Sequence, residues 1–324
     1  MPELKSKFLG VILGCAVGDA LGAPYEGWQG GSLPSSEKLL SGYAPIPGYP
    51  LGQYTDDTQL TLAIAEAIIE KDSVNADEIA RRFVRLWESG EIVGQGASCT
   101  EGVINLIGGI PPDRSGTGEG RAGNGCAMRA GPIGLWFHRD PQGLFEASRL
   151  HSVITHRDPR AIAGAAAVAC AVSIGVAQEK ISEEAFLGEV AETSGILSPE
   201  FRKYILEIPR WLKGREEDAL VEISSAGWID PPRPVGGITP FVIPTVLVAL
   251  YYFLKTPGEW GTCVARTIQA GGDVDTTGAI AGAIAGACNG VEAIPSHLLT
   301  SLKDGDMIRK TAEKLYEKYQ SVCL

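Results

Sequence analysis

Long uncharged runs of apolar residues, separated by short polar segments, dominate the chain. Three of these runs cover residues 161–177, 241–254 and 276–291. Each run is shorter than the ~20 apolar residues that a bilayer span requires, and each is apolar on every side, which is typical of a helix buried in a protein core. No segment alternates apolar and polar residues over the length of an ordinary strand. The expected fold class is therefore all-α, without a membrane span.

Several helix starts can be predicted from a capping side chain that precedes a proline. This pattern occurs at Asp140-Pro141, Asp158-Pro159, Ser198-Pro199 and Thr239-Pro240. Asn75, followed three residues later by Glu78, is typical of a capping box ahead of an amphipathic helix. A further buried helix is predicted over residues 9–17. Together these signals indicate roughly a dozen helices.

Glycines recur every fourth residue, at Gly278, Gly282 and Gly286, within one of the predicted core helices. Small residues on one helix face allow two backbones to approach closely, so we expect tight packing at the centre of one domain. No change in composition marks a linker, and the segments 108–125 and 230–237 are interpreted as surface loops. We therefore predict a single domain over residues 1–324.

The charge and cysteine content exclude several classes of protein. There are 28 basic and 39 acidic residues, a net charge of −11, which argues against binding to nucleic acid or to an anionic membrane. The 7 cysteines include no Cys-x-x-Cys pair, so neither a disulfide framework nor a zinc ribbon is predicted. The N-terminal segment lacks the layout of a signal peptide, which favours a cytoplasmic location.

Two acidic clusters stand just before apolar helices. They are Thr55-Asp56-Asp57-Thr58 and Asp273-Val274-Asp275-Thr276-Thr277. Helix capping and the helix dipole would explain a single Asp, for about 0.3–1 kcal/mol. Four aspartates entering an apolar interior repel one another unless a cation neutralises them. Since the candidate ligands are all oxygens, without His or Cys, we expect Mg²⁺, Mn²⁺ or Ca²⁺, with two ions sharing a bridging carboxylate.

Two more acids, Asp19 and Glu26, follow the first buried helix, with glycines nearby that allow a turn. Their ordinary interpretations are a loop acid at a helix end and a surface acid. His156 precedes the longest Ala-rich run, and a lone histidine is more often structural than catalytic. These three residues are candidates for a site only in combination with the acidic clusters.

A glycine-rich stretch ends in Gly123-Asn124-Gly125-Cys126-Ala127-Met128-Arg129 and leads into a helix. Its backbone amides could hold a diphosphate at that helix start, and the alternative is a flexible loop. The spacing Gly118-x-Gly120-x-x-Gly123 also matches a dinucleotide fingerprint. That match is weak, because no strand precedes it.

Taken in order, these segments resemble the ADP-ribosylglycohydrolase family, which includes dinitrogenase-reductase-activating glycohydrolases and eukaryotic ADP-ribosylhydrolases. The matching pieces are Gly18-Asp19-Ala20-Leu21-Gly22 through Glu26, Thr55-Asp56-Asp57-Thr58, Gly123-Asn124-Gly125 with Met128-Arg129, Thr155-His156 with Asp158-Pro159, and Gly271-Gly272-Asp273-Val274-Asp275-Thr276. The resemblance implies a single compact orthogonal helical domain of a dozen or more helices. It also implies a dinuclear Mg²⁺ or Mn²⁺ centre in a cleft.

The resemblance also assigns roles to individual residues. The implied metal ligands are Thr55, Asp56 and Asp57 on one side and Asp273, Asp275 and Thr276 on the other. The implied catalytic residues are Glu26 and Asp275. The implied contacts with ADP-ribose come from Asp19, Gly123, Asn124, Gly125, Met128 and His156. Every metal-ligand position of the pattern is present, which favours an active enzyme.

The activity implied by the resemblance is hydrolysis of the bond between ADP-ribose and an acceptor. Arginine is the slightly preferred acceptor, and serine and O-acetyl groups stay open. The choice between Mg²⁺ and Mn²⁺, the acid or base role of Glu26 and the oligomeric state also stay open. Two alternatives are a phosphohydrolase that cleaves the diphosphate and a non-catalytic, crystallin-like relative.

Overall fold

The computed structural model describes residues 2–178, 180–228 and 236–323, and within them the chain forms α-helices and no β-strand. The predicted all-α fold class is confirmed. The helices are α1 (Leu4–Gly22), α2 (Ser36–Leu40), α3 (Asp56–Lys71), α4 (Ala76–Glu88), α5 (Ala97–Ile107), α6 (Gly131–Trp136), α7 (Pro141–Val153), α8 (Pro159–Ala177), α9 (Glu183–Gly195), α10 (Pro199–Ile205), α11 (Ile208–Lys213), α12 (Glu216–Ser225), α13 (Val242–Lys255), α14 (Trp260–Ile268), α15 (Val274–Asn289), α16 (Ser296–Ser301) and α17 (Gly305–Cys323).

Helices α1 and α15 form the centre of the molecule and run antiparallel in close contact. Gly10, Gly14 and Gly18 of α1 face the three glycines that recur in α15, in reverse order along the chain. A Cβ at any of these positions would overlap a backbone carbonyl of the other helix. The predicted tight packing of the α15 glycines is therefore present, and its partner is the first helix of the chain.

The three apolar runs form buried helices, as expected from their lack of a polar face. They correspond to α8, α13 and α15, in which nearly every residue is buried. Two helical segments, Leu4–Tyr25 and Pro159–Ala177, are long and apolar enough to cross a membrane by length and composition. In the fold, 83% of the apolar stretch in the first segment and 89% of that in the second are buried inside the protein. This burial is typical of a core helix, which can be as long and as apolar as a membrane span.

Most of the predicted helix starts are confirmed. Asp140, Asp158 and Ser198 each cap the helix that follows, and each accepts a hydrogen bond from a backbone N–H of the first turn. Asn75 caps α4 in the same way, although the carboxylate of Glu78 pairs with two arginines instead of closing a capping box.

Three expectations need correction. Helix α13 begins at Val242, not at the proline after Thr239, because the carbonyl of Pro240 accepts the N–H of Asn124 outside the helix. Helix α1 continues past residue 17 to Gly22, so Asp19 lies within a helix.

The segment 108–125 is a surface loop only in part. Ser115 and Thr117 are buried, and the backbone of Thr117 pairs with Thr155 and Arg157. Of the other predicted loop, 230–237, only residues 236 and 237 are among the described residues.

Short backbone bridges, outside any strand, connect the loops on one side of the molecule. They join Gln29 with Gly271, Thr117 with His156, Gly123 with Phe241, and Ile238 with Gly272. Each bridge involves a loop next to a motif singled out in the sequence. These pairs hold the irregular segments over the ends of the core helices, where the polar residues gather.

Candidate active site

Two helices that are far apart in the sequence begin side by side. Asp56 and Asp57 occupy the first turn of α3, and Asp275 occupies the first turn of α15, with Asp273 at its N-cap position. The hydroxyl of Thr276 donates to Oδ2 of Asp57 at 3.3 Å, across 219 residues of sequence. The positive ends of two helix dipoles therefore meet at one group of buried carboxylates.

Asp19 lies beneath this group and supports it. Its fully buried carboxylate accepts hydrogen bonds from the backbone N–H and hydroxyl of Thr55 and of Thr58, at 2.6 to 3.1 Å. It lines no pocket next to the acids. The predicted contact of Asp19 with substrate stays a prediction, and the contacts show a carboxylate that holds the start of α3.

Thr55 is the N-cap residue of α3, and its hydroxyl also lies 3.1 Å from Oδ2 of Asp57. Unlike Thr276, it does not line the pocket formed by the acids. Its predicted role as a metal ligand stays a prediction, and the contacts show a side chain that links Asp19 to Asp57.

Glu26 completes a group that we call the acid cluster, which consists of Glu26, Asp56, Asp57, Asp273 and Asp275. Carboxylate oxygens of Glu26, Asp273 and Asp275 lie within 4.8 Å of one another. Asn124 donates to Asp273 at 2.6 Å, and the N–H of Thr276 donates to Asp275 at 2.9 Å. Glu26 is the exposed member of the acid cluster, whereas the aspartates are buried.

Burial raises the pKa of every member of the acid cluster. Burial is the main cause of the rise in the pKa of Asp56 to about 8, which a hydrogen bond from Gly96 and the positive charge of Arg129 limit. The pKa values of Asp57 and Asp275 lie well above their usual range, because of burial and then repulsion from neighbouring carboxylates. Without a cation, Asp56 would therefore hold a proton near neutral pH.

The chemistry of the acid cluster fits a divalent cation. Oδ1 of Asp57 is buried and has no hydrogen-bond partner among the described residues, which is rare for a carboxylate oxygen. The main influences on the pKa of Asp275 are burial and four other carboxylates. Since the donors are all oxygens, the cluster suits Mg²⁺, Mn²⁺ or Ca²⁺ rather than Zn²⁺.

The acid cluster forms one wall of a pocket of about 300 Å³, which we call the central pocket. Of the other residues predicted from the sequence, the central pocket is also lined by Gly123, Asn124, Gly125, Met128, His156 and Thr276. The structure thus brings together residues from five separate motifs. Asp19 and Thr55 lie behind this surface.

Gly123, Asn124 and Gly125, which we call the glycine turn, form another wall of the central pocket. A Cβ at Gly125 would lie 2.7 Å from Sγ of Cys99 and 2.8 Å from Cε1 of His156, so only glycine fits there. Asn124 connects the glycine turn to the acid cluster through Asp273, and to α13 through the hydroxyl of Thr245 at 3.1 Å.

His156 is buried beside the glycine turn. Burial, followed by the positive charges of Arg129 and Arg121, lowers the pKa of His156 to about 3, so its ring is neutral at physiological pH. Its Nδ1 lies 2.8 Å from the hydroxyl of Thr155, whereas Nε2 faces the glycine turn. His156 therefore offers a neutral ring nitrogen to whatever occupies the central pocket.

Comparison with known proteins gives a consistent family. The family model described as ADP-ribosylglycohydrolase matches residues 1–324. The chain belongs to the ADP-ribosylglycohydrolase family. It is 30% identical to the ADP-ribosyl-[dinitrogen reductase] glycohydrolase of Rhodospirillum rubrum, over 93% of this chain and 92% of the relative. It is 28% identical to the ADP-ribosylhydrolase ARH3 of Mus musculus, over 97% and 92% of the two chains.

A solved structure titled "ADP-ribosylglycohydrolase-related protein complex" has the same fold, with a TM-score of 0.77 and 25% sequence identity. The likeness covers 98% of this chain and 100% of that one. The resemblance deduced from the sequence motifs is therefore confirmed, and so is the prediction of a glycohydrolase-family enzyme.

Sequence reasoning missed the remaining wall of the central pocket. That wall consists of Gly94, Gly96, Ala97, Ser98 and Cys99, at the start of α5. The N–H of Gly96 lies 3.4 Å from Oδ2 of Asp56, which connects this wall to the acid cluster. Two glycines before a helix were the available signal, although without a charged side chain nothing local distinguished them from an ordinary loop.

Two further recesses adjoin the central pocket. A recess of about 420 Å³, the aromatic recess, shares Ser98, Gly123 and Pro240 with it and includes Trp228 and Phe241. A recess of about 260 Å³, the acidic recess, shares Glu26, Pro240 and Asp273 with it. The central pocket therefore has a neighbouring space beyond the glycine turn and another beyond Glu26.

Proposed function

We propose that the protein hydrolyses the glycosidic bond between ADP-ribose and an acceptor group and releases ADP-ribose. One observation carries the proposal, namely that an acid cluster and a glycine turn line the same central pocket. The first suits cation-assisted chemistry, and the second suits a diphosphate. Family membership supports the same reaction, as do the names of the relatives.

We propose that one or two divalent cations, Mg²⁺ or Mn²⁺, work with the acid cluster. Asp56, Asp57, Asp273, Asp275 and the hydroxyl of Thr276 would hold them, because these oxygens converge on the central pocket. When bound, a cation of this kind would orient substrate hydroxyls and lower the pKa of a water molecule bound to it. The unpartnered Oδ1 of Asp57 supports this assignment.

The bonds that form and break in the hydrolysis indicate what the protein side chains must do. The water oxygen bonds to the anomeric carbon, the bond from that carbon to the acceptor breaks, and one water proton passes to the acceptor. Positive charge develops on the ribose ring as the bond breaks, and nearby carboxylates stabilise it. Glu26 handles the proton, since it is the exposed acid of the cluster and burial followed by repulsion from Asp273 raises its pKa.

The two adjoining recesses suggest how the substrate lies. With the ribose at the acid cluster and the diphosphate at the glycine turn, the adenosine would enter the aromatic recess. There Trp228 and Phe241 pack edge to face, and Arg160 lies over the Phe241 ring at 5.4 Å. Aromatic and guanidinium surfaces of this kind are suited to stacking with a base.

The acidic recess supports arginine as the acceptor. It begins at Glu26 and Asp273, and its other lining residues are Gly, Gln, Ile, Thr and Pro, with no basic residue in the part of the chain that the structure describes. The carboxylate of Glu26, which is not among the proposed cation ligands, favours a guanidinium over a serine hydroxyl. Turnover of matched ADP-ribosyl-arginine and ADP-ribosyl-serine peptides tests this preference, and equal or faster release from serine would contradict it.

The decisive experiment identifies the product formed from an ADP-ribosylated peptide in the presence of Mn²⁺. Free ADP-ribose is the expected product, whereas AMP would indicate phosphoanhydride cleavage and would overturn the proposal. Asp275→Asn should lower turnover by about a hundredfold or more and weaken Mn²⁺ binding measured by calorimetry. Asp77→Asn, at an exposed acid of the first turn of α4, is the matched control and should leave both unchanged.

A further inference from the structure

A buried arginine lies behind the central pocket and takes no part in the proposed chemistry. Arg129 is fully buried, and its guanidinium lies 4.9 Å from the centre of the Phe83 ring. Its Nη2 donates to the hydroxyl of Thr155 at 2.7 Å and to the carbonyl of His151 at 3.1 Å. An arginine side chain has donors only and keeps its charge in proteins, so the direction of these hydrogen bonds is fixed.

The direction of the next hydrogen bond follows from the first. The hydroxyl of Thr155 accepts from Arg129 and lies 2.8 Å from Nδ1 of His156. Thr155 is fully buried, and the described residues offer its hydroxyl proton no other acceptor. If Nδ1 carried a proton, the hydroxyl hydrogen would be left unpaired in the interior, which is costly. Thr155 therefore donates to Nδ1.

A histidine whose Nδ1 accepts a hydrogen bond carries its proton on Nε2 when the ring is neutral. Nε2 faces the glycine turn, since a Cβ at Gly123 would lie 3.1 Å from it. No partner for Nε2 exists among the described residues, although His156 lines the central pocket. The lowered pKa of His156, caused by burial and then by Arg129 and Arg121, agrees with a neutral ring.

We propose that Arg129, acting through Thr155, fixes His156 as the neutral Nε2–H tautomer, so that His156 presents a hydrogen-bond donor to an anionic oxygen of the substrate at the glycine turn. Arg129 and Thr155 are positioning residues in this arrangement, and His156 is the residue that touches substrate. The donor role rests on the proposed function, because ADP-ribose supplies the diphosphate oxygen. The tautomer itself does not.

The tautomer can be measured in the ligand-free protein. The chain has 4 histidines, so long-range ¹H–¹⁵N correlation spectra of histidine-labelled protein are simple, and loss of one signal in His156→Gln assigns His156. The expected spectrum shows the Nε2–H tautomer between pH 6 and pH 8. An Nδ1–H tautomer or an imidazolium in the wild-type protein would overturn the proposal, whatever the variants do.

Variants of Thr155 test the relay. Thr155→Val keeps the shape and removes the hydroxyl, so the preference for the Nε2–H tautomer should be lost, and the affinity for ADP-ribose should fall by about tenfold or more. Thr155→Ser keeps the hydroxyl and should retain both the tautomer and the affinity within about threefold. Loss of the tautomer in both variants, or in neither, would refute the relay.

Calorimetry separates failure of this inference from failure of the proposed function. If wild-type protein with Mn²⁺ does not bind ADP-ribose, the proposed function and the donor role both fall, while the spectra still decide the tautomer. If ADP-ribose binds and the spectra show the wrong tautomer, the proposed function stands and the relay falls.

Discussion

At the scale of single residues, the site is defined by how each carboxylate is paired. Asp19 accepts hydrogen bonds from four donor groups of two threonines, whereas Oδ1 of Asp57 has no partner in the described part of the chain. The two acids lie in one region yet have different roles. A satisfied carboxylate organises protein, and an unsatisfied one is available to a ligand. Glu26 differs again, because it is the exposed acid beside Asp273.

Glu26→Gln tests the proton-transfer role at this scale. Glutamine keeps the size and polarity of the side chain and cannot exchange a proton, so kcat should fall by about a hundredfold or more while KM changes little. Steady-state kinetics with an ADP-ribosylated peptide measure both. Glu88→Gln, at the exposed end of α4, is the control that should match the wild type. A large rise in KM at normal kcat would contradict the assignment.

Asp19→Asn tests the supporting role. An amide in place of the carboxylate points an NH₂ group at N–H donors of Thr55 or Thr58, which should lower the free energy of unfolding by about 1–3 kcal/mol and reduce turnover as the start of α3 shifts. Chemical denaturation and kinetics provide the two readouts.

The matched control for Asp19→Asn is Asp140→Asn, because Asp140 caps α7 at an exposed position and Asn is an equally good cap. It should change the free energy of unfolding by less than about 0.5 kcal/mol. If Asp19→Asn behaved like Asp140→Asn in both assays, the supporting role would be wrong.

At the scale of helices, contact between α1 and α15 positions the site. Glycines along both helices allow the backbones to meet, which places Asp19 of α1 and Asp275 of α15 at the same end of the pair. The last member of the series, Gly22, is tight against the backbone of Asp275, because a Cβ at Gly22 would lie 2.6 Å from the N and Cα atoms of Asp275. The close packing of α1 against α15 therefore also determines where the acids of the site lie.

Gly282→Ala tests this packing. The added methyl group would overlap the carbonyl of Gly14, so the helices must separate, and the free energy of unfolding should fall by about 3 kcal/mol or more. Gly188→Ala in α9 is the control, since nothing lies within 4 Å of its Cβ position, and it should raise stability by about 0.5–1 kcal/mol. Denaturant titration compares them. Equal stabilities would show that the close approach is unimportant.

At the scale of the whole molecule, folding brings acids from both ends of the chain into one buried cluster. The unfolded chain keeps these carboxylates separate and solvated, with ordinary pKa values. The folded protein raises the pKa of Asp56 to about 8 and those of Asp57 and Asp275 well above their usual range. Folding of the cation-free protein is therefore coupled to proton uptake, and a divalent cation replaces those protons.

This coupling predicts a pH dependence with a definite sign. Between about pH 7 and pH 8, the folded acid cluster binds more protons than the unfolded chain, so the free energy of unfolding in EDTA should fall as pH rises. The buried histidines, whose lowered pKa values act in the opposite direction at lower pH, are mostly neutral in both states in this range. Mn²⁺ should therefore raise the melting temperature more at pH 8 than at pH 6.

Differential scanning calorimetry at fixed Mn²⁺ and in EDTA measures this effect across the pH range. Asp56→Asn removes one of the titrating groups, so its stability in EDTA should depend less steeply on pH than that of the wild type. A stabilisation by Mn²⁺ that is equal at pH 6 and pH 8 would contradict the linkage between cation and protons.

The sequence by itself determined the features that depend on neighbouring residues. Caps before helices, such as Asp140 and Asp158, were predicted because a side chain bonds to the N–H groups two or three residues on. The buried helices were predicted because a helix without a polar face has no stable place in water. The oxygen chemistry of the acid cluster followed from residue type alone.

Only the tertiary structure decided which of these residues meet and which role each one has. Whether Asp19 faces substrate or supports α3 depends on the distance to Thr55 and Thr58, which no local pattern encodes. The partner of the α15 glycines is α1, because close approach requires small residues at matching positions on two distant segments. Contacts between such segments depend on the packing of the whole chain, so they are fixed only when the chain folds.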